Sequence, residues 1–191
     1  MERIGLFGGS FDPIHVGHLL VAEAACEEFA LERLFFIPAA ISPFKPESQP
    51  APAEQRLCLL RLALAGRSHF SIDGQEIERG GTSFSVETAR TYRNRFPAAR
   101  LYWLIGADHV PTLTQWRDAG ELAGMVEFLI IPRPGELPVE VPKPFVGHRL
   151  SGFPLGVSSS QIRQRVRDGL TINTLTPSPV AEAIRNNGLY L

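Results

Sequence analysis

Gly8-Gly9-Ser10-Phe11-Asp12-Pro13-Ile14-His15-Val16-Gly17-His18-Leu19 follows directly on the short apolar run Ile4 to Phe7. The glycine pair lets backbone amides approach a ligand without Cβ interference, and Asp12-Pro13 turns the chain. Two histidines follow, three apart, where a helix begins. Strand, glycine-rich turn and helix N-terminus together form a phosphate-holding unit, because amide N–H groups and the positive end of the helix dipole point at the anion. A nucleotide site is the expectation.

Outward from that stretch, Leu19 to Phe29 carries apolar residues at helical spacing, with Leu20, Ala24 and Phe29 on one side. Arg33 to Pro38 is an apolar strand without polar alternation, as expected where both faces of a parallel sheet are covered. This is a βαβ unit. The proline-bearing stretch from Ala39 to Pro52 is too long for a simple connection and reads as a functional loop, with Lys45 able to reach a phosphate. Ala53 to Ala65 forms an amphipathic helix stopped by Gly66, and Phe70-Ser71-Ile72 a short strand. Hydroxyls of Thr82-Ser83-Phe84-Ser85 are expected to cap a helix running to about Phe96.

Leu101-Tyr102-Trp103-Leu104-Ile105 is the clearest strand, ending in a tight turn at Gly106-Ala107-Asp108-His109. Ligands of doubly wound sheets bind at such C-terminal strand edges, which makes Asp108 a candidate. Glu127 to Ile131 is another strand, finishing at Pro132-Arg133-Pro134-Gly135, so Arg133 is a phosphate candidate by the same logic. Val146 to Leu150 forms a last strand. Ser158-Ser159-Ser160-Gln161 has capping-box spacing, so a helix starts at Ser158 with first-turn amides free, a second anion site that Arg163 can reach from one turn in. Ser178-Pro179 caps a final helix that reaches Asn187 and stops at Gly188. The fold class is α/β with a doubly wound parallel sheet, read as one domain over 1–191, its C-terminal helical part beginning near 157.

Composition bounds the function. The 191 residues are 44% hydrophobic and 20% charged with a formal net charge of -1, so disorder and bulk attraction to nucleic acid or an anionic membrane are excluded in favour of small phosphorylated ligands. The excess of arginine over lysine (only Lys45 and Lys143) reads as compositional bias. Cys26 and Cys58 read as buried core thiols. No apolar run approaches membrane-spanning length, and the expected location is the cytoplasm.

Neither GxGxxG nor GxxxxGK[ST] occurs, so hydride transfer and P-loop hydrolysis lose ground. His15 and His18 could be metal ligands, phosphate donors or capping groups. A zinc site wants three or four ligands and only Asp12 and His109 lie near, whereas the adjacent glycines favour phosphate; no metal-ligating set is assigned. Without a Gly-x-Ser-x-Gly elbow, the serine cluster carries little weight as a hydrolase. Trp103 reads as core, and Trp116, in a loop, as either core or a platform for a ligand ring.

Gly8 to Pro13 running into His15-Val16-Gly17-His18 resembles the HxGH signature of the nucleotidylyltransferase superfamily, with its Rossmann-like fold, and the serine cluster with Arg163 resembles its second signature. Thr82 to Ser85, Ile105 to Asp108, Trp116, Pro132 to Gly135 and Val180 to Tyr190 resemble the bacterial nicotinate-nucleotide adenylyltransferase family. The resemblance implies transfer of the adenylyl group of ATP to nicotinate mononucleotide with Mg2+, giving deamido-NAD and pyrophosphate in NAD biosynthesis. It implies His15, His18 and Arg163 as catalytic groups. It implies ATP contacts from Gly8, Gly9, Ser10, Phe11, Gly106, Asp108 and Arg133, and from Ser158, Ser160 and Ile162 beside Arg163. Lys45, Thr82, Ser83, Phe84 and Trp116 would hold the mononucleotide. Two departures from the pattern are Phe44, where relatives often carry histidine, and Arg117, where an aromatic is common. The implied partners are these two nucleotides, with no nucleic acid or membrane, and self-association into a homo-oligomer stays open. The rival readings are another superfamily member, such as the phosphopantetheine enzyme, and a nucleotide-binding module without turnover.

Overall fold

Six short strands lie side by side in a computed structural model that describes residues 1–44, 50–135, 139–152 and 155–191. The chain runs β1 (Arg3–Gly9), α1 (Val16–Phe29), β2 (Arg33–Pro38), α2 (Ala53–Leu64), β3 (Phe70–Ile72), α3 (Gln75–Arg79) and α4 (Ser85–Arg95). It continues with β4 (Arg100–Gly106), a 3₁₀ helix (Ala107–Gln115), α5 (Ala119–Met125), β5 (Glu127–Ile131), β6 (Gly147–Arg149), α6 (Ser159–Arg167) and α7 (Ser178–Asn186).

All the pairings are parallel and the strand order is β3-β2-β1-β4-β5-β6. The chain therefore winds outward from β1 to β3, returns to pair β4 with β1, and winds outward again. The order reverses between β1 and β4, and the crevice beyond their C-terminal ends is where doubly wound sheets take ligands. Gly8 and Gly9 end β1 there, and Gly106 ends β4.

Side-chain alternation explains why the strands look uniformly apolar. Phe7, Leu34, Phe36, Tyr102, Leu104 and Leu129 face one core with α1, α2 and α7. Ile4, Leu6, Phe35, Trp103, Ile105 and Phe128 face the other, with α4, α5 and the 3₁₀ helix. The strands β1, β2, β4 and β5 are buried on both sides, so period two does not show in them as polar alternation. From α7, Val180, Ala181 and Ile184 join the first core, which seats the C-terminal helix against the sheet.

Several expectations are corrected. Cys58 is exposed and Cys26 half-buried, and both are free thiols; neither is a core thiol. Burial pushes the Cys26 thiol up to about 12. The turn at Gly106 to His109 is the start of the nine-residue 3₁₀ helix. Phe84, without a side-chain cap, precedes α4, so the hydroxyls of Thr82, Ser83 and Ser85 do not cap it. The last helix is entered from Pro177, so Ser178 is its first residue and not its cap. Among the described residues no helix is long and apolar enough to cross a membrane.

Candidate active site

The cleft at the reversal point measures about 440 Å³, within the range of small-molecule sites. Its floor is the end of β1. After Gly8, Gly9 and Ser10, Phe11 takes a φ of +45°, an uncommon conformation for a side chain other than glycine, and aims the chain at α1. His15 is the N-cap, in extended conformation, and its N–H donates to Nδ1 of His18 at 3.2 Å. That bond assigns the tautomer: with Nδ1 accepting, the proton of a neutral His18 sits on Nε2.

The two imidazoles stack with centroids 3.7 Å apart, and Phe7 and Phe11 meet His18 edge-on at 5.9 and 5.1 Å. Burial lowers the His15 imidazole to about 4, and burial followed by the neighbouring His15 takes His18 well below its ordinary value. Both are neutral donors near pH 7. His15 is 6% exposed and its Nδ1 has no hydrogen-bond partner, a directed group left over by the fold. Gly17 makes the stack fit: a Cβ there would lie 2.9 Å from Val157 Cγ1 and 3.1 Å from the His15 ring.

A second helix N-terminus converges on the first. Ser158 accepts from the Gln161 N–H at 3.3 Å while its own N–H donates to Gln161 Oε1 at 2.9 Å, the capping box that starts α6. Ser159 Oγ donates to Pro13 O at 2.9 Å, and Arg163 Nη1 donates to Asp12 O at 2.7 Å. These bonds span more than 140 residues of sequence and stitch α6 onto the glycine-rich turn. Ser158, Ser160 and Arg163 all line the cleft, as do Gly8 to Phe11 and both histidines. Ile162 is fully buried in the core and does not.

At the β4 edge, Asp108 and Arg133 form a two-pronged pair, Nη2 to Oδ2 at 2.9 Å and Nε to Oδ1 at 3.2 Å. The Asp108 carboxylate folds back over Gly106, where a Cβ would come within 2.3 Å of Oδ1. All three residues line the cleft.

The opposite wall is aromatic. Trp116 is half-buried, its ring edge-on to Phe128 at 6.2 Å, and Phe44 lies over it at 5.4 Å and over His109 at 4.7 Å. Trp116 is thus core on one edge and open to the cleft on the other. Beside it Ser83 is buried: its N–H donates to Ile41 O and its Oγ accepts from the Ala40 N–H, both at 2.9 Å. Thr82 is exposed, bridged to Ile41, and off the cleft. Phe84 is also off it, with the Arg117 guanidinium 4.6 Å from its ring centre. Lys45 lies outside the described residues.

Two buried ionisable groups escaped sequence reasoning. Arg56, 2% exposed, donates to Ser10 O at 2.9 Å, Ala39 O at 2.8 Å and Ala51 O at 3.0 Å, joining the glycine-rich turn to both ends of the 39–51 segment. Burial lowers its pKa. Glu76, 4% exposed at the cleft wall, accepts from the Thr88 hydroxyl at 2.6 Å and bonds Ser83, and burial raises its pKa. Arg56 sits on the α2 face that also buries Leu59, Leu60 and Ala63, and a charge at a buried helical position was the available signal there; in the short α3 Glu76 is the buried residue, with no apolar face to announce it.

Among the described residues no group of three histidine, cysteine or acidic side chains is placed to hold a metal. The cleft's carboxyl groups are Asp12, Asp108 and Glu76. The first two are committed to arginines and the third to Thr88.

The cytidylyltransferase-like family pattern matches residues 6–165. A protein of Opitutus terrae named "Probable nicotinate-nucleotide adenylyltransferase" is 40% identical, over 98% of this chain and 97% of its own length. One of the same name from Gemmatimonas aurantiaca is 45% identical over 98% and 92%. In fold, the chain is similar to Plasmodium falciparum nicotinic acid mononucleotide adenylyltransferase complexed with APC, with a TM-score of 0.80 at 17% identity over 100% and 98% of the chains. The same enzyme complexed with NaAD gives 0.77 at 18% identity, again over 100% and 98%.

Proposed function

The chain belongs to the cytidylyltransferase-like family and, within it, to the nicotinate-nucleotide adenylyltransferases, and we propose that its cleft joins ATP to nicotinate mononucleotide, giving deamido-NAD and pyrophosphate. The observation that carries the assignment of roles is the convergence of two helix N-termini, with His15, His18 and Arg163, at the point where the strand order reverses.

The attacking group is an oxygen of the mononucleotide phosphate, already largely ionised near neutral pH because its second pKa is about 6. A bond forms from that oxygen to the α-phosphorus of ATP, and the bond from the α-phosphorus to the α–β bridging oxygen breaks. Its electron pair leaves with pyrophosphate, so the step needs neither a protein nucleophile nor a proton acceptor. What remains is alignment and charge stabilisation, and alignment alone is worth roughly 7 to 11 kcal/mol in well-oriented reactions.

The residues suit that task. Neutral His15 and His18 offer N–H donors that carry no charge to be neutralised when the leaving group departs. Arg163 and the amides at the start of α6 take the developing charge on pyrophosphate. Asp108, over Gly106, suits a ribose hydroxyl, with Arg133 beside it. The pyridine ring lies on the Trp116 wall, its carboxylate toward the uncapped start of α4 at Ser83 and Ser85. Mg2+ would neutralise phosphate charge and polarise the phosphoryl oxygens. With the cleft carboxyl groups already partnered, the residues fit an ion held chiefly by the triphosphate itself, as magnesium in nucleotide sites often is.

The test is pyrophosphate release from ATP and Mg2+ with nicotinate mononucleotide, nicotinamide mononucleotide or phosphopantetheine as acceptor. Release with the first alone or by preference is expected. None with the first would refute the assignment.

A further inference from the structure

Asp12 is 6% exposed and receives donors from three separate parts of the chain. Its Oδ1 accepts from the Tyr190 hydroxyl at 2.8 Å and from the Ala51 N–H at 3.1 Å. Its Oδ2 lies 3.6 Å from Nη1 of Arg163, and that same nitrogen donates to the Asp12 carbonyl at 2.7 Å. Nη2 of Arg163 reaches Ser160 Oγ at 3.4 Å. Two donors on one oxygen fix the plane of a carboxylate, which leaves the other oxygen turned toward the guanidinium.

Tyr190 does not itself line the cleft. Its φ of +67° lies in the left-handed region, just beyond α7, and partial burial together with Asp12 keeps its hydroxyl protonated, hence a donor. The helix before it is pinned by Val180, Ala181 and Ile184 in the sheet's own core, so the hydroxyl is presented from a rigid support.

We propose that Tyr190 is a positioning residue for adenylyl transfer: through Asp12 it holds the Arg163 guanidinium at the phosphate end of the cleft. The inference rests on the phosphate-handling reading of Arg163 given above. Five N–H groups belong to a guanidinium, and here one is spent on the Asp12 carbonyl and one is directed at Ser160, so the remainder are oriented and available. Without the Tyr190 hydroxyl the carboxylate keeps the Ala51 donor but loses its fixed plane, and Arg163 loses its register toward the leaving group. Asp12 then connects the C-terminal helix, the end of the 39–51 segment and α6 through one side chain.

A double-mutant cycle tests this. Tyr190→Phe removes only the hydroxyl; single-turnover kcat should fall about tenfold, the worth of one hydrogen bond to a charged group, with the KM for nicotinate mononucleotide within about twofold. In an Arg163→Ala background the same substitution should change kcat by less than about twofold, because the group it positions is gone. Equal factors in both backgrounds would mean a merely structural role and would overturn the proposal. An Arg163→Ala variant with unchanged turnover would instead overturn the reading of Arg163, and the relay with it. Should Tyr190→Phe melt at the assay temperature, Asp12→Asn takes its place in the cycle. It keeps an acceptor for Tyr190 and removes the charge facing Arg163, with the same non-additivity expected.

Discussion

Replacing Arg56 by methionine keeps most of the volume and removes the one side chain that ties Ser10, Ala39 and Ala51 together. Three carbonyl oxygens then lose a donor. The Ala39 carbonyl lies in a buried hydrogen bond, so its orphaning should cost about 1–3 kcal/mol. The Ser10 and Ala51 bonds are only partly buried, water can replace the donor, and each costs roughly 0.5–1 kcal/mol. Against these losses stands the relief of desolvating a guanidinium, whose burial already lowers its pKa, and the better fit of an apolar side chain beside Leu59 and Leu60. A net loss of about 2–4 kcal/mol remains, equal to a fall in Tm of roughly 5–15 °C for a chain of this size. Urea unfolding of both proteins at pH 7.5 measures it, the m-value serving to check that the folded state is unchanged. Amide exchange at Ala51, whose N–H rests on Asp12, should quicken well before global unfolding. A loss below about 1 kcal/mol, with exchange at Ala51 unaltered, would show that the buried arginine does not hold the two segments together.

Gly17→Ala drives a methyl into Val157 and the His15 ring, which overpacks by about 1–3 kcal/mol and displaces the imidazole stack. Turnover should drop on the order of a hundredfold while the protein stays folded by circular dichroism, and near-normal turnover would detach the stack from catalysis. Because burial lowers the His15 imidazole to about 4 from an unfolded value near 6.5, the unfolded state binds more protons between those values. Stability is then full above about pH 6.5 and declines as pH falls toward 4, by up to about 3 kcal/mol; His15→Asn should flatten that part of the urea-midpoint profile, and an unchanged slope would refute the assignment. Asp108→Asn frees Arg133 from its partner, so inhibition by inorganic tripolyphosphate should tighten several-fold while the KM for ATP rises. Parallel changes in both would argue against separate roles for the pair.

The sheet is legible in the sequence because β1, β2, β4 and β5 are each buried on two faces, and such strands appear as continuous apolar runs that nothing else in a chain of this size needs. What sequence reasoning missed is where local preference and tertiary structure disagree. Helix α5 carries Gly120 and Gly124 and begins from Asp118 at a φ of +50° without a side-chain cap, so propensity argues against it and packing of Leu122 holds it. The 3₁₀ helix contains Pro111, which removes an amide donor and masks any α-helical signal. The end of the cleft where α1 and α6 start was announced by glycines and by the Ser158 capping box, both local devices. Arg56 was not announced, because its partners lie 5, 17 and 46 residues away in sequence and only the folded chain brings them together. Cys58 illustrates the same limit: its apolar neighbours Leu57 and Leu59 lie on α2, but its own position on the helical turn points outward.

The charge inventory of the cleft says how affinity and release are balanced. Among the described residues its arginines are Arg133 and Arg163, and each faces a carboxylate of its own, Asp108 and Asp12. His15 and His18 are neutral near pH 7 and burial shifts Glu76 toward its neutral form. A site for two phosphorylated substrates therefore carries little net positive charge. A strongly cationic cleft would hold triphosphate and pyrophosphate alike, raising affinity for the ground state and the product without favouring the transition state. Amides at two helix starts and neutral imidazole donors act differently, because their pull is directional and greatest on charge that develops where they point. Most of the ground-state charge of ATP would then be left to a divalent ion held chiefly by the triphosphate.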